Sequence, residues 1–388
     1  MKLLWHSNCP WSPTGYGAQT KLITPSLAEH YDLAISSFYG LEGDRLMWEG
    51  IPVLPGLGGE YGNASLPHHA KHFLGTDGGL VVTLMDVWVL STQMAAELDM
   101  ACWVPVDHDP APPDVIEFFA VSGAIPIAMS RFGQRQLERF DPLYVPHAVD
   151  TEVFRPLDRA EVRKATGVPE DVFLVGMVAA NKGRPSRKSF QEALEAFRLL
   201  RERHDNARLY LHTTLDPNFS QGENIMELVE SLQITDSILV ADQYRQAFNP
   251  LPPQKMAQVY STFDVLLNPA QGEGFGIPII EAQACGVPAI VTDFSAMSEV
   301  CGAGWKVGTR PRWTGQRSWQ AYPDVAEIAA ALEECYQQSP AERAALAERA
   351  VAHAADYDVR RVIAEYMLPA LEQVEARIAE RKPVTVAA

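Results

Sequence analysis

Short, strongly apolar runs alternate with amphipathic stretches along this chain, and the series starts twice. The first series reads "KLLW", "LAISSF", "LVVTLMDV", "ACWVPVDH" and "IPIAMS", each run strand-sized and closed by small, polar or proline residues. Helical patterns such as "RFGQRQLERF" lie between or after them. After "VPHAVDTEVFRPLDRAEVRKATGVPED" the alternation restarts as "VFLVGMVA", the helix "SFQEALEAFRLLRERH", "ARLYLHTT", "SILVA", "FDVLLNP", "VPAIVT" and "GWKVG". Runs this apolar, separated by helices, predict parallel sheets covered on both faces. At 388 residues the chain suits two cores rather than one. The expected fold is therefore α/β, two Rossmann-like domains with a cleft between them. The boundary is expected near residues 155 to 170, which divides the chain into 1–160 and 161–355, with a helical end over 356–388.

Charge and cysteine usage narrow the function classes. A formal net charge of -17, with no basic arm, opposes extended contact with a phosphate backbone and argues against nucleic acid as a partner. Cys9, Cys102, Cys285, Cys301 and Cys335 are odd in number and scattered, without a CxxC pair or zinc-like histidine spacing, which fits a reducing cytoplasm. Neither a signal peptide nor a membrane-spanning run is expected, so no stable membrane association is foreseen.

The stretch "NPAQGEGFGIPIIEAQACGVPAIVTDF", residues 268 to 294, carries the most specific chemistry. "FDVLLNP" reads as a buried strand, Pro278 suits the first turn of a helix, and Gly286 stops it. Glu273 then lies in the loop and Glu281 about one turn into the helix. Gly274 and Gly276, around Phe275, let backbone approach a ligand, and amides at the helix start attract an anion. A carboxylate accepts hydrogen bonds at two oxygens and suits the paired hydroxyls of a sugar or ribose. Two such groups flanking an anion site describe a nucleotide-activated sugar.

Here the chain resembles the retaining, nucleotide-sugar-dependent glycosyltransferases of the GT-B type, the glycogen-synthase-like and mannosyltransferase-like group. The Glu-x7-Glu signature appears as "EGFGIPIIE". The interdomain signature, usually close to "PNGVD…F.P", appears as "VPHAVDTEVFRP", with His147 and Ala148 in place of Asn and Gly. The closing "ADYDVRRVIAEYMLPALEQ" resembles the family's final helices, which return towards the N-terminal domain. The opening "WHSNCPWSPTGYGAQT" also resembles bacteriophage-encoded proteins, which would place the protein in a host cytoplasm.

The resemblance implies that Glu273 holds donor-sugar hydroxyls and Glu281 the ribose. The family places an Arg and a Lys about six residues apart on the diphosphate. This chain offers Lys182, Arg184, Arg187 and Lys188, with Lys182 and Lys188 at that spacing and Lys182 departing from the usual Arg. In the N-terminal domain, Gly15 and Gly17 match the glycine-rich turn near the diphosphate, and His108 matches a histidine that touches the donor sugar. His108 between Asp107 and Asp109 also suits a general base or a metal. Asp86 is a further pocket candidate, and Ser130 reads as an N-cap.

The implied reaction is retaining transfer of a sugar from a nucleoside diphosphate to an acceptor hydroxyl. It uses no metal and no cofactor beyond the donor, and Glu273, His108 and Lys188 are the catalytic candidates. A non-catalytic nucleotide-sugar-binding protein, or an epimerase or phosphorylase on the same scaffold, is the alternative. A glycoside hydrolase also needs two carboxylates but has no use for a cationic phosphate site. Donor nucleotide and acceptor stay open at this stage, the acceptor among lipid, glycan, small molecule, protein and modified base.

Overall fold

The computed structural model describes residues 1–58, 60–76 and 78–381. The chain forms two compact units. Unit 1 comprises Met1–Ala148, Gly315–Ser318 and the chain from Val359 onward; unit 2 comprises Val149–Thr314 and Trp319–Asp358. No helix among the described residues is long and apolar enough to cross a membrane.

Unit 1 is built on strands β1 (Lys2–Asn8), β2 (Asp32–Tyr39), β3 (Leu46–Trp48), β4 (Ile51–Leu54), β5 (Leu80–Leu84), β6 (Met100–Val104), β7 (Ile125–Ala128) and β8 (Leu143–Tyr144). They lie in the order β3-β4-β2-β1-β5-β6-β7-β8. Every pairing is parallel except β3 with β4, which forms an antiparallel edge. β5 and β6 are buried throughout, as unbroken apolar runs require when helices cover both faces.

Unit 2 carries β9 (Phe173–Val178), β10 (Ala207–His212), β11 (Ile238–Val240), β12 (Val265–Asn268), β13 (Ala289–Thr292) and β14 (Gly304–Val307), then a hairpin of β15 (Thr309–Trp313) and β16 (Trp319–Pro323). The main sheet is parallel in the order β11-β10-β9-β12-β13-β14. The chain therefore builds outward from β9 to β11 and then crosses back to β12. Loops leaving the carboxyl ends of β9 and β12 diverge at that reversal, the position where such sheets open a crevice for ligands. The core beneath it is made by Phe190, Leu194, Phe197 and Leu200 of the helix Phe190–Arg201, packed on Val175, Leu209 and Val265. Gly176 keeps β9 close to its neighbours, because a Cβ there would come 2.1 Å from the Phe263 ring.

The change of unit falls earlier than the sequence-based boundary at 160. Val149 bridges to Asp358, its N–H donates to Tyr357 O at 2.9 Å, and Thr151 Oγ1 donates to the Asp358 carboxylate. Residues 149–160 thus join unit 2 through pairings some two hundred residues apart in sequence, which no local pattern announces. Within unit 1, the Tyr31 hydroxyl donates to Glu375 at 2.9 Å and Arg377 pairs with Asp141 at 2.8 Å.

Candidate functional site

The two loops at the reversal of unit 2 are tied to each other. Gln271 N–H, in the loop after β12, donates to Arg187 O at 2.8 Å, in the loop after β9. This joint brings three charged side chains together. Arg187 Nη1 donates to Gly272 O at 2.6 Å and to Glu273 Oε2 at 3.0 Å, while Lys188 Nζ donates to Glu273 Oε1. Glu273 is only 6% exposed, and its own N–H donates to Ser295 Oγ at 3.0 Å. Burial pushes its carboxyl pKa up, but the Arg187 and Lys188 charges and hydrogen bonds outweigh this and hold it below the ordinary carboxylate value. Glu273 is therefore ionised at neutral pH and can only accept hydrogen bonds. With two cations on one carboxylate, the cluster has a surplus of one positive charge and suits an anion.

The helix Ile277–Ala284 follows directly. Gly276 sits at its N-cap with φ 99° and ψ 57°, a left-handed conformation that favours glycine, and Pro278 is in the first turn. No side chain caps this start, which leaves first-turn amides without a side-chain acceptor. Phe275 is buried with its ring 5.6 Å from that of Tyr357. Gly286, at φ 79°, follows the helix end. Glu281 lies one turn in, partly accessible, with one oxygen taken by the Tyr260 hydroxyl at 2.8 Å. Burial raises its pKa to about 7, against the lowering effect of that hydrogen bond.

Of the four cations in the loop after β9, Arg187 and Lys188 meet on Glu273. Arg184 Nε instead donates to Gly222 O at 2.5 Å, and the Lys182 side chain is exposed. Sequence spacing paired Lys182 with Lys188, whereas the fold puts Arg187 beside Lys188. Tyr260, Gln271 and Ser295 were not foreseen as neighbours of the two glutamates. They come from different segments, and only the tertiary pairing brings them in.

The unit 1 candidates form a separate group. Thr14 caps the helix Gly15–Ala28 by accepting from Gly17 N–H at 3.0 Å, and Asn8 Nδ2 donates to Thr14 Oγ1 at 2.6 Å. Gly15 and Gly17 thus belong to the helix rather than to the turn before it. A Cβ on Gly17 would meet Ser12 O at 2.4 Å, so close packing alone accounts for that glycine. The Tyr16 hydroxyl donates to Asp86 at 3.1 Å. His108 is buried after β6, with Nδ1 2.6 Å from Asp107 Oδ1, a contact that orients the ring. Ser130 is an N-cap, accepting from Gly133 N–H at 2.9 Å. Among the described residues no three His, Cys, Asp or Glu side chains converge as a metal site.

Residues 169–338, which include the Glu273 cluster, match the family model described as glycosyl transferases group 1. The chain is 29% identical over 154 residues to the D-inositol 3-phosphate glycosyltransferase of Acidothermus cellulolyticus, covering 38% of this chain and 32% of that protein. It spans about a third to three fifths of the length of such curated relatives. Among solved structures, sucrose-phosphate synthase from Thermosynechococcus elongatus is similar with a TM-score of 0.75 at 16% identity, over 97% of this chain and 100% of that one. The Anabaena protein Alr3699/HepE in complex with UDP and glucose gives 0.67 at 16% identity, over 96% and 99%. The fold is therefore that of the two-domain glycosyltransferase structures.

Proposed function

We propose that the protein is a retaining glycosyltransferase that moves a sugar from a nucleoside diphosphate to an acceptor hydroxyl without a metal ion. The observation that carries this reading is the Glu273 cluster: a carboxylate kept ionised by Arg187 and Lys188, at the sheet reversal, beside an uncapped helix start. The cations and first-turn amides receive the diphosphate and stabilise the charge that develops on it as the glycosidic bond breaks. Glu273 accepts hydroxyls of the donor sugar, and Glu281 accepts from the ribose with the oxygen that Tyr260 leaves open. Within unit 1, Asp107 orients the ring of His108, the histidine proposed for the sugar-binding role. The match to group 1 glycosyltransferases over residues 169–338 and the resemblance to a protein solved with UDP and glucose support a nucleotide-sugar donor.

The test is turnover of a panel of UDP-, GDP- and ADP-sugars with proton NMR of the released or transferred sugar. The expected first product carries the donor's anomeric configuration, and activity persists in EDTA. An inverted product removes the retaining mechanism. Loss in EDTA with recovery on Mn²⁺ makes the reaction metal-dependent.

Glu281 gives a pH test. Its folded pKa lies above the ordinary carboxylate value, so between the two the folded state holds the extra proton. Its ionised form, the better acceptor for a diol, is gained as pH rises through about 7. Nucleoside diphosphate affinity is expected to increase more steeply from pH 6 to pH 8 in the wild type than in Glu281→Gln, which keeps only the part due to ionisation of the ligand's terminal phosphate, measured by calorimetry. The same slope in both proteins would place the titrating group elsewhere.

A further inference from the structure

The turn that carries Arg187 and Lys188 is held from two sides, and only one of them belongs to the cluster described above. Residues 179–189, between β9 and the helix Phe190–Arg201, form neither strand nor helix, so their path depends on what they are bonded to. In the sheet β9 lies between β10 and β12, and the loops leaving both neighbours reach the turn. From the β12 side, Gln271 N–H donates to Arg187 O at 2.8 Å and its Nε2 to Ser186 O at 3.4 Å. From the β10 side comes a carboxylate: Ser186 N–H donates to Glu223 Oε1 at 3.1 Å. Ser186 then sets the residues that follow it. Its Oγ accepts from Lys188 N–H at 3.4 Å and its O from Ser189 N–H at 3.1 Å.

Glu223 meets Ser186 because its own backbone is clamped. Asn181, buried at 2% exposure, takes Glu223 N–H on Oδ1 at 2.9 Å and donates through Nδ2 to Glu223 O at 2.8 Å. Gly222, one residue earlier, is pressed against the same side chain, since a Cβ there would lie 2.0 Å from Asn181 Oδ1. Gly183 N–H donates to Gln221 O at 3.2 Å, and Arg184 Nε donates to Gly222 O. Residues 181–186 and 221–223 are thus laced together along their length. Ser186 is buried, so removal of the Glu223 oxygen leaves an N–H that the turn can satisfy only by shifting. That amide immediately precedes Arg187.

We propose that Glu223 is a positioning residue: its hydrogen bond to Ser186 N–H fixes the turn that brings Arg187 and Lys188 onto Glu273. It acts through Ser186 rather than on the substrate. Resting on the transferase reading, the fixed turn holds both cations where charge develops on the diphosphate, and a misplacement of about 1 Å there is worth about a hundredfold in rate. What the turn requires of residue 223 is an acceptor oxygen of the right reach. A carboxamide oxygen on the same stem meets that need, whereas a carboxylate one methylene shorter does not.

Turnover of UDP-, GDP- and ADP-sugars and hydrogen-exchange mass spectrometry, on Glu223→Ala, Glu223→Asp and Glu223→Gln, test the proposal. Ala and Asp are expected to lower kcat by about tenfold or more while the donor KM rises by less than about threefold, because the cations matter most in the transition state. Gln should stay within about threefold of wild type although it removes the same charge as Ala. Peptides covering residues 183–189 should exchange at least about tenfold faster in Ala and Asp than in wild type and Gln, with β9 and the helix Phe190–Arg201 unchanged. The contrast of Asp with Gln decides the matter even where Ala does not fold. Activity that follows charge, with Asp intact and Gln impaired, overturns the proposal, as does unchanged turnover or unchanged exchange in Asp and Ala. If the wild type turns over none of the nucleotide sugars, the transferase reading fails and exchange alone decides. Faster exchange over 183–189 in Asp but not in Gln then keeps Glu223 as the residue that sets the turn, and equal exchange removes it.

Discussion

Lys188→Ala is expected to lower sugar-transfer turnover by about a hundredfold or more, the scale found when one positioned charge stabiliser is removed. Lys188 bears on Glu273 Oε1 while Arg187 holds Oε2, so the substitution removes one of the two cations that give the cluster its positive surplus. Loss of that charge weakens the hold on the leaving diphosphate most when its charge is greatest, in the transition state. The variant should therefore lose turnover more than donor affinity. Lys188→Arg keeps the charge and should recover part of the activity, though a planar fork cannot reproduce the reach of the ammonium. Arg187→Ala is expected to be harmful as well, because Arg187 also bonds Gly272 O and fixes the loop. Lys182→Ala, whose side chain is exposed, should stay within about twofold. Steady-state kinetics on the four variants checks the ranking, and near-normal turnover in Lys188→Ala would remove the cluster from the chemistry.

The second large effect is on stability. Asp264→Ala is expected to destabilise unit 2 by about 3–5 kcal/mol, the cost of leaving a buried charge without its partner. Asp264 is buried at the amino end of β12 and accepts from Arg163 at 2.9 Å, Arg159 at 2.6 Å and Arg343 at 3.2 Å, as well as from Leu174 N–H at 2.7 Å. Arg163 is buried too, and burial lowers its pKa although the Asp264 charge opposes this. It donates besides to Thr262 O and Val172 O, which fastens the helix Arg159–Thr166 to the sheet. Arg343→Ala should cost under about 1 kcal/mol, because that side chain is 41% exposed and its ion pair is screened. Urea denaturation followed through the unit 2 transition distinguishes the two, and equal small losses would show that Asp264 is not the keystone of this end.

Much of this arrangement was legible in the chain, for reasons visible in particular segments. Parallel strands buried on both faces must be continuous apolar runs, so "VFLVGMVA" and "FDVLLNP" announced β9 and β12 without any partner being known. The helix after Gly276 was equally local: a left-handed glycine, a first-turn proline and a closing glycine are all sequence signals. The cluster was only half legible. Lys188 and Glu273 could be named, but the choice of Arg187 over Lys182 depends on how the loop after β9 turns before Ser189, which has φ 54° and carries no sequence mark. Tyr260 and Ser295 approach from a helix and a loop that local periodicity cannot connect with Glu281 and Glu273. The hairpin was missed because its first strand alternates arginine with proline and tryptophan, and neither strand is a continuous apolar run. Its register is fixed by pairing with itself.

Calorimetric titration of UDP, GDP and ADP into the wild-type protein and into Arg187→Ala with Lys188→Ala tests the central claim most directly. The account predicts that at least one nucleoside diphosphate binds the wild type and that the double variant loses about tenfold or more in affinity for it, since both cations that meet on Glu273 and are proposed to receive the diphosphate are gone. Binding that is equal in the two proteins, or absent from the wild type for all three nucleotides, would contradict it.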